Sequence, residues 1–229
     1  MNAMKRRVIV LLNGEPYKGV IDGENALVLC ADGAYDWAHG RLSIDENIGD
    51  FDSVKQTPYP APEKIYPAQK DETDGEIAMK AAIEAVKKGE ADAIEIYGGG
   101  GGREDHFLGN LHLLYRALNA GAECVMKTNR ADIFAARGKI EIENILGKTV
   151  SLLPFGGNAH ILYSKGLFYP TDDLTLVYGA CRGISNAGVS SRAEIMCDEG
   201  ALLVFVNKEE HEDCLRETAQ IHSGDSSPV

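Results

Sequence analysis

The chain has 229 residues, of which 44% are hydrophobic and 25% charged, a composition typical of a globular protein that can bury its own core. Its 35 acidic residues outnumber its 23 basic ones and give a formal net charge of −12, so we expect neither nucleic acid nor an anionic membrane as a partner. The five cysteines are scattered and form no C-x-x-C pair, which argues against a disulfide framework and a zinc site. The apolar run near the N-terminus is too short for a secretory or membrane segment, so we expect a cytoplasmic protein.

The first half of the chain alternates strand and helix patterns. Short apolar runs at residues 7–12, 26–31, 93–97 and 122–127 predict strands that are buried on both faces. Thr73 and Glu76 have capping-box spacing and predict the start of one helix, while residues 103–121 predict a second helix. The apolar stripe of this second helix is expected to contain Phe107, Leu108, Leu111, Leu114, Tyr115 and Leu118. Residues 1–127 are therefore predicted to form an α/β domain with a parallel sheet and helices on its faces.

The second half has a different pattern. Alternating runs at residues 131–144, 148–157, 160–170 and 193–206 are broken by Gly, Pro and Asn and show little helical periodicity. They predict an antiparallel β-sandwich over residues 128–229. The polar tail from Asn207 onwards is interpreted as the start of a helix followed by disorder.

Acidic side chains follow the predicted strands of the first half. In a parallel sheet, the loops that leave the carboxyl ends of the strands share the edge at which ligands bind. We therefore expect a set of side chains from four loops to converge there: Asp32; Asp50, Asp52 and Ser53; Lys70, Asp71, Thr73 and Asp74; and Arg103, Glu104, Asp105 and His106.

Clustered carboxylates require compensation. Two carboxylates about 4 Å apart repel each other by about 4 kcal/mol at an effective dielectric constant near 20. Oxygen ligands without a Cys/His set favour Mg²⁺, which shares its carboxylates with substrate phosphates. With Lys70, Arg103 and the glycine run at residues 98–102 nearby, this edge is predicted to be a nucleotide polyphosphate site.

Each motif also has an ordinary structural explanation. The sequence "GDFDS" (49–53) is a common turn composition, and "TDGE" (73–76) alone is better explained as a helix cap. The glycine run lacks the Lys-Ser/Thr of a P-loop and the spacing of a dinucleotide fingerprint. His106 and His112 are six residues apart, which does not place two metal ligands on one helical face. The coincidence of four acidic loops at one edge is what favours a functional site.

In combination, these motifs resemble the thiamine pyrophosphokinase family over nearly the whole chain. The matching segments are Asn13-Gly14, "ADGA" (31–34), "GDFDS" (49–53), "KDETD" (70–74), "GGREDH" (101–106), Asn110, "GISN" (183–186) and "GALLVFV" (200–206). The resemblance implies an α/β catalytic domain, a β-sandwich that binds thiamine, and a homodimer. It also implies transfer of the diphosphoryl group of Mg·ATP to the hydroxyethyl oxygen of thiamine, giving thiamine diphosphate and AMP.

The resemblance also implies roles for individual residues. Catalytic roles fall on Asp32, Asp71, Asp74, Arg103 and Asp105, and Mg²⁺ would be bound by Asp50, Asp52, Asp71, Asp74 and Asp105. Contacts to ATP and its metal are expected from Asp50, Asp52, Ser53, Lys70, Thr73, Gly101, Gly102 and His106. Ser185 and Asn186 would meet the thiamine pyrimidine. Asp32, Asp71 and Asp105 remain alternatives for the general base.

Two positions depart from the family pattern. Ala34 replaces the usual second glycine of "DGG", and Ala187-Gly188 follows the Ser-Asn pair where some members have a tryptophan. The aromatic side chain for the pyrimidine must therefore come from elsewhere or be absent. The alternative functions are a diphosphokinase for another heterocyclic alcohol such as a hydroxymethylpterin, a non-catalytic nucleotide or thiamine sensor, and a metal-dependent phosphohydrolase.

Overall fold

The structure, a computed structural model, describes residues 6–51, 54–55, 57–62 and 71–210. The chain divides into two compact units, Met1–Asn129 and Arg130–Val229. Within the described residues, no helix has both the length and the apolar character needed to cross a membrane.

The first unit contains a parallel sheet of five strands in the order β5-β4-β1-β2-β3. The strands are β1 (Arg7–Leu11), β2 (Ala26–Ala31), β3 (Glu46–Ile48), β4 (Ala93–Tyr97) and β5 (Glu123–Lys127). In the register, Leu11 pairs with both Cys30 and Tyr97, and Ala31 pairs with Ile48. The strands therefore end at nearly the same level, and the loops that follow them meet at one edge of the sheet.

Among the described residues of this unit, three α-helices cover the sheet: α1 (Tyr35–Ala38), α2 (Asp74–Lys87) and α3 (Glu104–Asn119). Alternate residues of β1 face opposite sides, and both sets are buried because α2 packs on β1 and β2 while α1 packs on the other face. This confirms the prediction of a parallel α/β unit. The apolar stripe of α3 differs from the predicted one, since Leu108 is 57% exposed and Leu113 is buried. Leu113 points towards α2 near Gly75, a contact that helical periodicity does not reveal.

The second unit is antiparallel, as predicted. Its strands are β6 (Ala131–Glu143), β7 (Lys148–Pro154), β8 (Ala159–Lys165), β9 (Leu174–Leu176), β10 (Asn186–Ala187) and β11 (Arg192–Glu210). The long strand β11 pairs with β6 along its length, with β8 through its first half and with β7 through its second.

An irregularity between Cys197 and Leu202 bends β11. The β11 residues that belong to the hydrophobic core of this unit occupy odd positions before the bend, as at Ile195, and even positions after it, as at Val204. Such a bulge lets one strand contribute to both halves of a folded sheet. Because β11 continues to Glu210, the interpretation of residues 207–210 as the start of a helix was wrong. The rest of the expected tail lies outside the described residues.

Candidate functional site

A cavity of about 510 Å³ opens at the carboxyl edge of the parallel sheet. Its lining includes residues from each of the expected loops, namely Asp32, Asp50, Asp71, Asp74, Arg103 and His106. Asp52, Ser53 and Lys70 of the predicted set lie outside the described residues. The convergence expected at this edge is thus observed for these six residues and for Thr73, whereas Glu104 and Asp105, which the structure also describes, are not among the lining residues.

Three of these carboxylates approach one another closely. Asp32, Asp50 and Asp74 each present an oxygen, and the three oxygens lie within 4.8 Å of one another. This spacing suits a hard cation bound by oxygen ligands, and without one the carboxylates repel. The residues present therefore fit Mg²⁺. Asp71 lines the same cavity but does not belong to this group of three.

The backbone around Asp32 brings two of these acids together. Asp32 has a φ of 39°, which is uncommon for a residue with a side chain, and its Oδ1 accepts a hydrogen bond of 3.1 Å from the Phe51 N–H. A side chain at Gly49 would place its Cβ 2.9 Å from the Asp32 Cβ. Glycine at this position lets the loop after β3 approach Asp32, and Asp50 follows directly.

The third carboxylate is positioned by the start of α2. The Thr73 hydroxyl accepts a hydrogen bond from the Glu76 N–H at 3.2 Å, and the Glu76 carboxylate accepts one from the Thr73 N–H at 2.9 Å. This is the predicted capping box, and it occupies the polar atoms of Thr73 that were expected to contact the nucleotide. Asp74 lies in the first turn, where the helix dipole favours negative charge. The capping box at Thr73 and Glu76 therefore also positions the Asp74 carboxylate at the acidic site.

The glycine run is ordered by backbone pairing. The Gly14 N–H donates to the Gly98 carbonyl and the Glu15 N–H donates to the Gly100 carbonyl, both at 2.7 Å. A side chain at Gly14 would place its Cβ 2.5 Å from the Gly98 oxygen and 2.6 Å from the Gly100 oxygen. The Asn110 side chain on α3 donates to the Gly99 carbonyl at 2.9 Å. The run is therefore a packed wall of the cavity rather than a slack connector.

Arg103 and Asp105 form an ion pair at the start of α3. The Arg103 Nη2 lies 2.6 Å from the Asp105 Oδ2, and both side chains are exposed. The hydrogen bond from Arg103 lowers the pKa of Asp105 to about 2. Asp105 is not among the described residues that line the acidic cavity, and it does not join the group of three carboxylates. The structure thus does not bring Asp105 to the expected metal position, because its side chain turns towards Arg103.

Cys30, which lies in β2 two residues before Asp32, is not available as a nucleophile. Burial raises the pKa of its thiol to about 12, with a further contribution from the charge of Asp32. A thiol with such a pKa carries little thiolate near neutral pH. Covalent catalysis by Cys30 is therefore not supported.

In the second unit, Asn186 is buried and its side chain is engaged by the backbone. Its Oδ1 accepts from the Tyr169 N–H at 2.9 Å, and its Nδ2 donates to the Tyr169 carbonyl at 2.8 Å. The neighbouring Ser185 is exposed and has a φ of 61°, and its N–H donates to the Ser151 hydroxyl. The amide of Asn186 thus holds Tyr169, whose own side chain is 59% exposed.

Several cavity residues belong to segments that match the family pattern but were given no role of their own in the sequence analysis. Asn13 and Gly14 follow β1 and line the cavity, and so do Glu72 and Asn110. Asn13 and Gly14 follow a predicted strand, so the rule that locates ligands at the carboxyl ends of strands was sufficient to find them. Glu72 lies near Lys80 and Arg116, and those contacts depend on the packing of α2 against α3.

Comparison with known proteins extends the match beyond single motifs. Residues 23–126 match the family described as "Thiamin pyrophosphokinase, catalytic domain", and residues 138–202 match "Thiamin pyrophosphokinase, vitamin B1 binding domain". A thiamine pyrophosphokinase of Bacillus subtilis (strain 168) is 34% identical over 169 residues, covering 70% of this chain and 77% of that protein.

Solved structures share the fold. A crystal structure of thiamine pyrophosphokinase from Bacillus subtilis aligns with a TM-score of 0.76 and 26% identity, covering 89% of this chain and 99% of that one. Thiamin pyrophosphokinase from Candida albicans aligns with a TM-score of 0.69 and 17% identity, covering 90% of each chain, and at this identity it shows similarity of fold alone.

Proposed function

The chain belongs to the thiamin pyrophosphokinase family, and from that premise we propose that it transfers the diphosphoryl group of Mg·ATP to the hydroxyethyl oxygen of thiamine. The products are thiamine diphosphate and AMP. The observation that carries this proposal is the group formed by Asp32, Asp50 and Asp74 beside the ordered glycine run and Arg103, within the segment that matches the catalytic domain.

We assign Asp32, Asp50 and Asp74 to the binding of Mg²⁺, and Asp71 to the same cavity wall. Mg²⁺ held there would neutralise charge on the phosphate oxygens of ATP. Asp52, Ser53 and Lys70 remain proposed contacts to the phosphates from the sequence alone. The backbone of Gly101 and Gly102 allows close approach of the phosphate chain, and His106 lies at the cavity wall.

The transfer is an in-line displacement. The alcohol oxygen of thiamine attacks the β-phosphorus, and the bond from the β-phosphorus to the bridging oxygen of the α-phosphate breaks, so AMP leaves with the electron pair. Arg103 stabilises the negative charge on the transferred group. Of the three alternatives for the general base, Asp71 is proposed to accept the alcohol proton, because Asp32 is assigned to the metal. Asp105 is less suited to this role because its pairing with Arg103 holds its pKa near 2.

For thiamine we propose a surface on the second unit formed by Ser185 and Tyr169. The Asn186 side chain is hydrogen-bonded to both the N–H and the carbonyl of Tyr169. The exposed phenol ring of Tyr169 offers a flat apolar face to a heteroaromatic ring. Asn186 then acts by positioning Tyr169 rather than by touching thiamine. We also propose that the protein works as a homodimer in the cytoplasm.

The decisive experiment measures AMP formation from Mg·ATP with and without thiamine. We expect AMP and thiamine diphosphate in equal amounts, and only when thiamine is present. AMP formed without any alcohol would indicate a phosphohydrolase instead. Turnover with a hydroxymethylpterin but not with thiamine would indicate a different diphosphokinase, and ligand-dependent stabilisation without any AMP would indicate a sensor.

A further inference from the structure

Trp37, the only tryptophan of the chain, lies in α1 and reaches the point where the chain leaves β1. Its indole N–H donates a hydrogen bond of 3.1 Å to the carbonyl of Leu12, the residue that follows β1. The Leu12 N–H donates to the Tyr97 carbonyl at 2.8 Å, so both backbone groups of Leu12 are held. The next two residues, Asn13 and Gly14, line the acidic cavity. The indole therefore fixes the backbone directly before it enters the cavity wall.

The same ring contacts the start of the glycine run. A Cβ at Gly98 would lie 2.2 Å from the Leu12 oxygen and 2.8 Å from Trp37 Cζ2, so the Gly98 backbone packs against both. Gly98 has a φ of 70°, a backbone conformation that favours glycine, and its carbonyl accepts the Gly14 N–H. Residues 12–15 and 98–102 together form the glycine wall of the cavity, and Trp37 contacts both of these segments.

Trp37 also belongs to the segment that carries Asp32. The residues from Asp32 to Ala34 form a short 3-10 turn that runs directly into α1. A Cβ at Gly33 would lie 2.2 Å from the Asn13 Nδ2, which is a second close contact between this segment and the chain after β1. The position of Asp32 relative to the glycine wall is therefore set where Gly33 and Trp37 meet that chain.

Arg41 holds the ring face of Trp37. Its guanidinium carbon lies 5.7 Å from the centre of the Trp37 ring, within the range of a cation–π interaction. The same guanidinium donates to the carbonyls of Tyr17 and Gly19, the latter at 2.9 Å, in the chain that continues from the wall. Core packing uses only the apolar area of an aromatic side chain. The indole N–H and the ring face of Trp37 are instead engaged in contacts that hold the backbone beside the site.

We propose that Trp37 is a positioning residue for diphosphoryl transfer, which acts through the Leu12 carbonyl and Gly98 to hold the glycine wall in place beside Asp32. Among the described residues, those that line the acidic cavity do not include Trp37, so it acts through backbone rather than by contact with substrate. The proposal rests on the proposed function, because the wall matters to turnover only when a phosphate chain lies against it. Positioning carries much of the catalysis in phosphoryl transfer.

The kinetic test compares Trp37→Phe, which keeps an aromatic ring and removes the N–H, with Tyr35→Phe. Tyr35 lies in the same helix, and its hydroxyl accepts a hydrogen bond of 3.0 Å from the Tyr59 N–H, outside the glycine wall. We expect Trp37→Phe to raise the KM for Mg·ATP about fivefold and to keep the KM for thiamine within about twofold of the wild type. Tyr35→Phe should keep both KM values within about twofold. A partly unfolded preparation would lower kcat and leave both KM values unchanged.

A spectroscopic test uses Trp37 itself, because the tryptophan emission of the protein arises from this one ring. Titration of the wild type with Mg·tripolyphosphate, which carries phosphates but no nucleoside, should change the emission and reach saturation. Arg41→Gln leaves the indole in place and removes the contacts to Tyr17 and Gly19, so it should raise the Kd from this titration about threefold. This second variant decides the question if Trp37→Phe does not fold.

Three results would overturn the proposal: an unchanged KM for Mg·ATP in Trp37→Phe, an equal rise in Tyr35→Phe, or emission that stays constant while calorimetry shows that Mg·tripolyphosphate binds. An unchanged Kd in Arg41→Gln would also count against it. A wild type that forms no thiamine diphosphate would contradict the proposed function instead. The emission titrations of the wild type and of Arg41→Gln would then still show whether Trp37 positions a phosphate-binding wall.

Discussion

The carboxylates of Asp32, Asp50 and Asp74 are held together by local backbone features rather than by attraction. The positive φ of Asp32, the glycine before Asp50 and the helix cap before Asp74 each position one acid. Their mutual repulsion is a cost to the unliganded fold, and a bound cation removes it. Removal of one of these charges should therefore leave the metal-free protein as stable or more stable, and should weaken cation binding.

We expect Asp74→Asn to leave the Tm without metal unchanged or higher, because one repelling charge is gone. The rise in Tm on addition of MgCl₂ should be lost, and turnover should fall about 100-fold. Thermal unfolding with and without MgCl₂ measures the first two effects. Glu84→Gln, an exposed acid on α2 that pairs with Lys88, is the control and should keep the metal response. A wild-type metal response in Asp74→Asn would contradict the metal assignment.

Asp105 should behave differently from Asp74, because its carboxylate orients Arg103. Asp105→Asn should raise the KM for ATP about tenfold while the Mg²⁺ concentration for half-maximal activity stays within about twofold of the wild type. With a pKa near 2, Asp105 is ionised throughout the working pH range, so the acid limb of the pH profile should not move. Steady-state kinetics at varied Mg²⁺ and pH test this. A raised Mg²⁺ requirement, as expected for Asp74→Asn, would show that Asp105 binds the metal.

At the scale of elements, the glycine run depends on the segment that follows β1. The backbone of Gly14 and Glu15 pairs with the run, and only a residue without a side chain fits at Gly14. The loop after β1 and the glycine run after β4 therefore form this wall of the cavity together.

We expect Gly14→Ala to separate these two loops. The added methyl group would lie too close to the Gly98 and Gly100 carbonyls. The free energy of unfolding should therefore fall by about 2 kcal/mol, and Mg·ATP binding should weaken. Urea unfolding and calorimetric binding measure the two effects. Gly23→Ala is the control, because its methyl group would meet only Leu42, at an ordinary 3.8 Å. Equal behaviour of the two variants would show that the close approach at Gly14 is unimportant.

His160 joins three parts of the second unit. Its Nδ1 lies 2.7 Å from Asp198 in the bend of β11, and its Nε2 lies 3.2 Å from Asp173 in the segment before β9. Both ring nitrogens can donate only when the imidazole is protonated. The hydrogen bond to Asp198, with a smaller contribution from Asp173, raises the pKa of His160.

The contribution of the His160 hydrogen bonds to the stability of the second unit should depend on pH. A group whose pKa is raised on folding stabilises fully below its unfolded pKa, about 6.5 for histidine, and the contribution is lost as pH rises through the folded pKa. His160→Gln should therefore lower the free energy of unfolding more at about pH 6 than at about pH 9. Asp173→Asn, which removes one of the two acceptors, should have a smaller effect with the same sign. Urea unfolding at both pH values measures this, and a pH-independent difference would contradict it.

At the scale of the whole molecule, the two units match two different domains of the same family. The first carries the acidic cavity. The second exposes a set of large apolar side chains, Leu146, Leu162, Tyr169, Val177, Tyr178 and Ile184. Exposed apolar side chains mark an interface where they are contiguous, so these positions are where the proposed homodimer can be tested.

We expect light scattering to give twice the chain mass of 24.7 kDa. Ile184→Glu should shift the protein towards the monomer, because a charge would be buried in the interface. Val20→Glu, at an exposed apolar position of the first unit, should leave the mass unchanged. A monomeric wild type, or dissociation by both variants alike, would contradict a dimer built on the second unit.

The elements of the fold were predictable because their signals are local. Residues 26–31 and 93–97 are strands as predicted, since a short apolar run between turn residues has few alternatives, and the capping box of Thr73 and Glu76 is present. The side chain of Leu108 was assigned wrongly because helical periodicity does not show which neighbour a helix packs against.

The sequence by itself determined four of the strands and the two long helices of the first unit, and the sheet edge at which the acidic loops meet, because turn chemistry and periodicity act over a few residues. Only the tertiary structure decided which acids stand together. Asp32 joins Asp50 and Asp74 through the register of β2 and β3 and an unusual backbone angle, whereas Asp105 turns to its neighbour Arg103. Distances between loops from different strands depend on packing across the whole sheet, and no local pattern in the chain encodes them.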